Sequence, residues 1–305
     1  MKTLVICICT YKRNQSLEKC LNSLANLKIL DKIKIKILIV DNTINNNSHN
    51  LVKKIKKKYK YNITLINEKK RGVVYARNRC LKSLKYFNPD YFSFIDDDCT
   101  VDYFWLVNIL RSIKLKKADI VTGPQLYINN SSTTNNKINF TKYFEKKYLV
   151  NTKNANWAAT NNVFLKYKII KNKNLLFDIK LNKFGMGEDQ LFFSILKQKG
   201  YKIIWNKNVK VFEKSHFHRS NINWLKTRSF RLGVLGHYID KKLYGLIFGY
   251  IINYLKSIFY FLNTLIYIIR PLSKNSRICL INLLYRSYGR FIGPYIFKKI
   301  NFIKK

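Results

Sequence analysis

The sequence has few acidic residues, few glycines and few prolines. Its 305 residues include 16 Asp and Glu, 11 Gly and 4 Pro against 58 Lys and Arg, so the formal net charge is +42. So little glycine and proline excludes a collagenous or linker-rich chain. Apolar residues make up 47% and aromatic residues 15%, which excludes a disordered chain despite the charge. The composition predicts one or two folded domains, each long enough to bury a core.

Common cofactor and metal motifs are also missing. The loop after the first apolar run has neither G-x-G-x-x-G nor G-x-x-x-x-G-K-[ST], so dinucleotide and P-loop sites are not indicated. The six cysteines form no C-x-x-C pair and have no histidine at zinc spacing. We therefore expect reduced, buried thiols in a cytoplasmic protein. The apolar run 3–9 leads into charged residues without a cleavage site, and we expect a strand there rather than a signal peptide.

The excess of lysine has two interpretations. A compositional bias would place lysine on solvated faces throughout the chain. Attraction to an anionic partner, such as nucleic acid, a phosphorylated substrate or acidic lipid, is the other. The end of the chain differs from the rest, because residues 241–305 contain twelve Lys or Arg and no acidic residue.

Apolar runs and helical patterns alternate along most of the chain. We predict strands at 3–9, 35–40, 62–66, 91–95, 118–122, 201–205 and 208–212, and helices at 14–27, 51–59, 73–86, 102–115 and 187–199, with an irregular connection at 124–156. This alternation predicts a doubly wound α/β sheet with right-handed crossovers. Such sheets bind ligands at the carboxyl ends of their strands, where this sequence has Thr10 to Arg13, Asp41 and Asp96 to Asp98.

Three consecutive aspartates, Asp96 to Asp98, follow an apolar strand. Adjacent carboxylates repel each other and raise each other's pKa unless a cation lies between them. A hard divalent ion that also holds phosphate oxygens suits such oxygen ligands. An acidic turn that caps the following helix is the alternative. The position at the end of a strand favours the metal and phosphate site.

A second acidic pair, Glu188 and Asp189, opens a predicted helix. The helix dipole stabilises carboxylates at this end, so a simple charge preference explains the pair. A general base held at the start of the helix explains it equally well, since such a base can take a proton from a hydroxyl acceptor.

Seven motifs occur together in one order: TYKRN at 10–14, IVDN at 39–42, R-G-x-x-x-A-R-N at 71–78, IDDD at 95–98, GPQ at 123–125, WAATNNVF at 157–164 and FGMGEDQLFF at 184–193. In these the chain resembles the family 2 glycosyltransferases of the GT-A fold, of the bacterial surface-polysaccharide type. The resemblance covers about residues 1–235.

The resemblance implies inverting, metal-dependent transfer from a nucleotide-diphosphate sugar, with Mg²⁺ or Mn²⁺ as cofactor. Nucleotide diphosphate leaves with growing negative charge, which a metal and an arginine neutralise. The implied residues are Thr10, Tyr11, Arg13, Asp41, Arg77, Asp96 and Asp97 for the nucleotide sugar, Asp98 and Asp96 for the metal, and Asp189 as general base with Glu188 beside it or orienting the acceptor.

Three further side chains have two interpretations each. Trp157 is a platform on which a sugar stacks or an aromatic residue of the core. His216 and His218 lie on one side of an extended segment and contact a metal or diphosphate, or belong to an ordinary polar loop.

The basic end of the chain contains an apolar segment, 243–269, that is long enough to cross a bilayer. At about 100° per residue its polar side chains fall within an arc of roughly 120°. In a spanning helix Lys256 would lie near the bilayer centre, at a cost of about 2.5–3.5 kcal/mol. This favours a helix lying in the interface, or a shallow hairpin with 278–297, over a spanning helix or one packed on the catalytic domain.

We therefore predict a catalytic domain at 1–240 and a basic amphipathic helical segment at 241–305, attached peripherally to the inner face of the cytoplasmic membrane. The predicted partners are a nucleotide-diphosphate sugar donor and a glycan or glycolipid acceptor, with no nucleic acid. A nucleotidyltransferase, which would release pyrophosphate, and a basic nucleic-acid-binding protein are the alternatives.

Overall fold

The computed structural model describes residues 1–29, 33–58, 62–128, 153–171, 175–214, 219, 221–269 and 273–299. The chain forms two compact units. The first comprises residues 1–129, 147–182 and 188–214, and the second comprises 130–146, 183–187 and 215–305. The predicted irregular connection lies largely outside the described residues, as do His216 and His218.

The described residues of the first unit form eleven strands and five α-helices, with short 3₁₀ helices between them. The strands are β1 (Lys2–Thr10), β2 (Ile33–Asp41), β3 (Asn62–Asn67), β4 (Tyr91–Asp96), β5 (Cys99–Val101), β6 (Ile120–Thr122), β7 (Gln125–Ile128), β8 (Lys153–Asn154), β9 (Asn162–Lys166), β10 (Ile203–Trp205) and β11 (Val211–Lys214). The helices are α1 (Asn14–Ala25), α2 (His49–Lys58), α3 (Val73–Ser83), α4 (Trp105–Lys116) and α5 (Glu188–Gln198).

Eight strands form the main sheet, in the order β3-β2-β1-β4-β9-β6-β10-β8. Strands β1 to β4 pair in parallel, with Thr10 opposite Asp41 and Cys9 opposite Asp96. The ends of these strands are therefore level, and their polar residues lie at one edge of the sheet. Strand β9 runs antiparallel between β4 and β6, so the sheet is parallel at one side and mixed in the middle.

The strands are apolar on both faces because helices cover both faces of the sheet. Side chains of β1 alternate between two cores: Leu4, Ile6 and Ile8 pack in one, and Val5 and Cys7 in the other. The first core also takes the buried residues of α1 and α4, and the second those of α3 and α5. The predicted α/β fold is confirmed. All six cysteines are free thiols.

A small second sheet, β5-β11-β7, continues from the end of β4. Strand β11 pairs antiparallel with β5 and parallel with β7. The sequence predicts neither this sheet nor the antiparallel direction of β9, because both follow from pairings between segments far apart in the chain.

Three long helices dominate the described part of the second unit: α6 (Ile222–Tyr244), α7 (Leu246–Ile269) and α8 (Lys274–Ile296). Glycines allow α6 and α8 to pack closely. A Cβ atom added at Gly233 would lie 2.3 Å from the carbonyl oxygen of Arg286, and one added at Gly289 would lie 2.3 Å from that of Phe230. In length and composition, residues 246–268 of α7 could cross a membrane.

The predicted domain boundary between residues 240 and 241 falls inside α6. This helix packs against both α7 and α8, so the helical unit begins before the basic segment does. The amphipathic pattern of 243–269 does form a helix, and its polar arc faces neighbouring helices rather than solvent: Asn253, Ser257 and Thr264 are buried. Sequence periodicity gave this polar side but could not say what covers it.

Candidate active site

Arg13 and the aspartates after β4 form one charged cluster. Arg13 donates from Nη1 to Asp97 Oδ1 at 3.1 Å and to Asp98 Oδ2 at 2.7 Å, and Thr10 Oγ1 donates to Asp97 Oδ2 at 2.7 Å. Burial raises the pKa of Asp97 to about 6, although Arg13 and the Thr10 hydroxyl oppose the shift. The turn therefore directs Asp97 inward, where it joins the ends of β1 and β4.

Arg77 forms a second cluster on the same side of β4. This buried guanidinium on α3 donates to Glu188 at the start of α5, and to Asp96 Oδ1 at 3.3 Å. The Glu188 side chain is 4% exposed and that of Asp96 is 39% exposed. Arg77 thus joins a carboxylate at the end of β4 to the helix that carries the second acidic pair, 111 residues from Arg77 in the chain.

Asp189 follows Glu188 and remains partly exposed. Burial, followed by the negative charge of Glu188, raises the pKa of Asp189 to about 7, while Arg77 acts in the opposite direction. A carboxylate with such a pKa exchanges a proton near neutral pH, as a general base must.

The residues predicted to bind the nucleotide differ in solvent exposure. Asp41 is fully buried and accepts hydrogen bonds from Thr43 N at 2.9 Å, from Thr43 Oγ1 at 2.8 Å and from Ser48 N at 2.8 Å. Its carboxylate therefore shapes the loop that follows β2. Tyr11 is 37% exposed, with the Arg71 guanidinium 5.3 Å from its ring centre.

Asn42 is a residue whose importance the sequence analysis did not recognise. Its Nδ2 donates to the carbonyl oxygens of Glu68 at 2.8 Å and Lys70 at 2.7 Å, and its Oδ1 accepts from Gly72 N at 2.7 Å. Gly72 immediately precedes α3 and has φ +134°, where a side chain would be strained. Asn42 thereby fixes the start of the helix that carries Arg77. The motif IVDN contained this signal, but only its aspartate was assigned.

Two other motifs meet beside the end of β4. Asn162 pairs with Ile95, so Asn161 lies next to the strand end that carries Asp96. Asn161 donates to Gln125, and Gln125 donates to the buried Glu213. Glu213 is a buried acid near the site that no sequence pattern indicated, because β11 reaches β5 only in the folded chain.

Asn162 and Trp157 have mainly packing surroundings. Asn162 is fully buried, accepts from Trp105 Nε1 at 2.9 Å and donates to the Val209 carbonyl oxygen at 2.7 Å. Trp157 is half-buried against the second core, so the interpretation as an aromatic residue of the core fits its position.

The charges of the clusters bear on whether a metal fits. The two clusters contain four carboxylates paired with Arg13 or Arg77, namely Asp96, Asp97, Asp98 and Glu188, and Asp189 follows as a fifth, so carboxylates outnumber these two guanidiniums in a chain whose net charge is +42. Among the described residues, no three His, Cys, Asp or Glu side chains form a ready metal cage. Mg²⁺ is commonly held by one or two carboxylates together with substrate phosphates, and Asp96 and Asp98 fit that mode.

Comparison with known proteins agrees with this geometry. Residues 5–172 match the family described as Glycosyl transferase family 2. The chain belongs to this family. The prediction that it is a family 2 glycosyltransferase is therefore confirmed.

The relatives are distant in sequence and similar in fold. The chain is 26% identical over 240 residues to the succinoglycan biosynthesis protein ExoM of Rhizobium meliloti, covering 78% of this chain and 76% of that one. The mannosyltransferase PcManGT of Pyrobaculum calidifontis, solved with GDP-Man and Mn²⁺, has 13% identity, a TM-score of 0.61 and coverage of 96% and 87%. TarS 1–349 of S. aureus, solved with UDP-GlcNAc, has 16% identity, a TM-score of 0.51 and coverage of 80% and 70%, and the chain spans 42% of a longer TarS chain. These structures confirm the GT-A fold.

The buried bridge of Arg77 generates a stability prediction. In Glu188→Ala the buried guanidinium would keep only Asp96, so we expect the free energy of unfolding to fall by about 3 kcal/mol. Lys166→Ala, which breaks a more exposed ion pair with Asp119 at 3.0 Å, should cost less than about 1 kcal/mol. Urea unfolding followed by tryptophan fluorescence measures both. Equal losses in the two variants would contradict the importance of the buried bridge.

Proposed function

We propose that this glycosyltransferase moves a sugar from a nucleotide-diphosphate sugar to an acceptor hydroxyl with inversion at the anomeric carbon. The observation that carries the proposal is the link through Arg77. One side of this guanidinium contacts Asp96 at the strand end where a donor would bind, and the other contacts Glu188 next to Asp189. A residue that would bind the donor and the proposed base would thereby lie in one cluster.

The donor would lie across the ends of β1, β2 and β4. Arg13 is half-exposed and close to the aspartates, and Tyr11 has two cations, Lys12 and Arg71, over its ring. These positive groups suit a diphosphate, and Thr10 with Asp97 supports the turn beneath it. Asp41 would act on the base or ribose through the loop it orders. The GDP-Man and UDP-GlcNAc complexes of two relatives support this class of donor.

Asp98 and Asp96 would hold a divalent cation, Mg²⁺ or Mn²⁺. Such an ion neutralises the charge that grows on the departing diphosphate. The excess of carboxylates at the site and the Mn²⁺ in the PcManGT complex support the assignment.

Asp189 would act as the base in the transfer step. Its carboxylate takes the proton of the acceptor hydroxyl while that oxygen bonds to the anomeric carbon, and the bond from the anomeric carbon to the diphosphate oxygen breaks. Attack from the face opposite the leaving group inverts the configuration. Glu188 positions Arg77, and burial together with the negative charge of Glu188 keeps the pKa of Asp189 high enough for it to accept the proton.

The acceptor would be a lipid-linked or surface glycan, at the inner face of the cytoplasmic membrane. The name of the ExoM relative supports a polysaccharide product. Family membership favours glycosyl transfer over the two alternatives, nucleotidyl transfer and nucleic-acid binding. Release of a nucleoside diphosphate rather than pyrophosphate separates the two enzyme classes.

Replacing Asp189 by Asn tests the base. We expect kcat for transfer to fall at least about 100-fold, because general-base catalysis contributes about 100- to 10,000-fold. Binding of the nucleotide sugar, measured by calorimetry, should change little. Asp90→Asn, the same substitution at the opposite end of β4, is the matched control. Turnover of Asp189→Asn near that of the control would remove Asp189 from its role.

The raised pKa of Asp189 predicts how activity depends on pH. Below pH 7 the carboxyl group becomes protonated and cannot accept a proton, so kcat/KM should fall on the acid side with an apparent pKa of about 7. Glu188→Gln removes a negative neighbour, so this acid limb should move to lower pH. Glu18→Gln on α1, which makes the same charge change elsewhere, should leave it in place. An unchanged limb in Glu188→Gln would contradict the coupling.

Replacing Asp98 by Asn tests the cation. We expect the Mn²⁺ concentration required for donor-dependent thermal stabilisation to rise at least about tenfold, since one of two carboxylate ligands is lost. Chelation should abolish transfer by the unmodified enzyme. Asp90→Asn again serves as control. The same Mn²⁺ dependence in Asp98→Asn and in the control would argue against this ligand.

A further inference from the structure

The outer face of α7 is apolar and exposed, whereas its inner face is polar and buried. Twelve large apolar side chains of this helix are 41–72% exposed. A stripe with helical spacing, Phe248, Ile251, Leu255, Phe259 and Leu262, lies along the outer side. Soluble proteins rarely expose so continuous an apolar surface unless it contacts a partner or a membrane.

Polar side chains on the inner face of α7 form hydrogen bonds with the neighbouring helix α8. Asn253 Nδ2 donates to the carbonyl oxygen of Arg290 at 3.0 Å, and the hydroxyls of Ser257 and Ser287 each donate to the other residue's carbonyl oxygen at 2.9 Å. These contacts make the two helices an antiparallel pair, and they fix which side of α7 faces outward.

The charge of Lys256 is paired with an acidic residue of the same unit. Its Nζ lies 2.7 Å from Asp240 Oδ1, and Arg290 Nη1 lies 2.6 Å from the other oxygen of Asp240. The charge that made a spanning helix unfavourable is thus paired between helices and does not interrupt the apolar face.

Basic residues lie at both ends of this pair of helices. Lys241 and Lys242 precede α7 and Lys298 and Lys299 follow α8 at one end, and Arg277 lies near the other; all five are exposed. No acidic residue occurs in 241–305. Cations at both ends suit an anionic surface parallel to the helices, since insertion of either end would bring charge into the hydrocarbon.

We propose that the exposed face of α7, with Tyr288 and Phe291 of α8 beside it, inserts into one leaflet of an anionic membrane without crossing it. The argument is independent of the reaction proposed above. Interfacial helices bury their apolar side about 5–10 Å deep, and basic residues strengthen the attachment. A spanning α7 would place its two ends on opposite sides of the bilayer. Because α6 and α8 both pack against α7, they would have to enter the bilayer with it.

Vesicle binding by the full chain tests the surface. The probes are vesicles of phosphatidylcholine with and without about one third phosphatidylglycerol, separated by flotation. We expect stronger binding to the anionic vesicles, and a loss of about 100-fold in the quadruple variant Phe248→Gln/Leu255→Gln/Phe259→Gln/Leu262→Gln. Leu115→Gln, an equally exposed leucine on α4, is the control.

Three outcomes would overturn the proposal. The first is unchanged vesicle binding by the quadruple variant while its thermal unfolding matches the unmodified chain. The second is conversion of a dimer to a monomer by the same substitutions without any vesicle binding by the unmodified chain, which would identify a second copy as the occupant. The third concerns topology: Lys242→Cys and Ser273→Cys, just beyond the two ends of α7, should both react with an impermeant maleimide added outside the vesicles, above the labelling of the unmodified chain with its six free thiols. Protection of one of them would show that the helix spans.

Discussion

The arrangement of the site depends on one buried positive charge. Arg77 enters the second core on α3, and it remains there because Glu188 and Asp96 supply opposite charges from two other elements. A buried guanidinium without partners would strongly destabilise the folded state, so the native fold requires α5 to lie at the end of β4. The same placement of α5 brings Asp189 to the strand end where ligands of such sheets bind. Asn42 extends the constraint by fixing the loop and the glycine from which α3 begins.

Carboxylates are concentrated at the site of a strongly basic molecule. The chain is strongly basic, yet the strand ends gather more carboxylates than guanidiniums. Their crowding is visible in the raised pKa values of Asp97 and Asp189, which burial produces and neighbouring acids increase. The diphosphate of the proposed donor is itself negative, so a divalent cation would make carboxylates and diphosphate compatible at the strand ends.

The helical unit also pairs its polar and charged residues in its interior, while it exposes apolar side chains. Its polar residues form hydrogen bonds and ion pairs between helices, as in the contacts of Asp240 with Lys256 and Arg290. Glycines let α6 and α8 approach closely, and the large apolar side chains of α7 are left on the outside. This arrangement is the reverse of a water-soluble bundle, in which apolar residues face inward and polar residues face solvent.

Residue order by itself determined the alternating α/β pattern, the positions of Asp41 and Asp96 at the ends of strands, and the family, because these follow from apolar periodicity and from motifs in fixed order. Periodicity also placed the polar arc of α7 correctly on one side of the helix. Only the tertiary structure decided what each side chain meets. Asp41 turned inward to its own loop, Arg77 met Glu188, and Gln125 joined Asn161 to Glu213, because these partners are distant in sequence and come together only through strand pairing and helix packing. The covered side of α7 was decided in the same way, since a helical pattern cannot say whether water, protein or lipid lies against it.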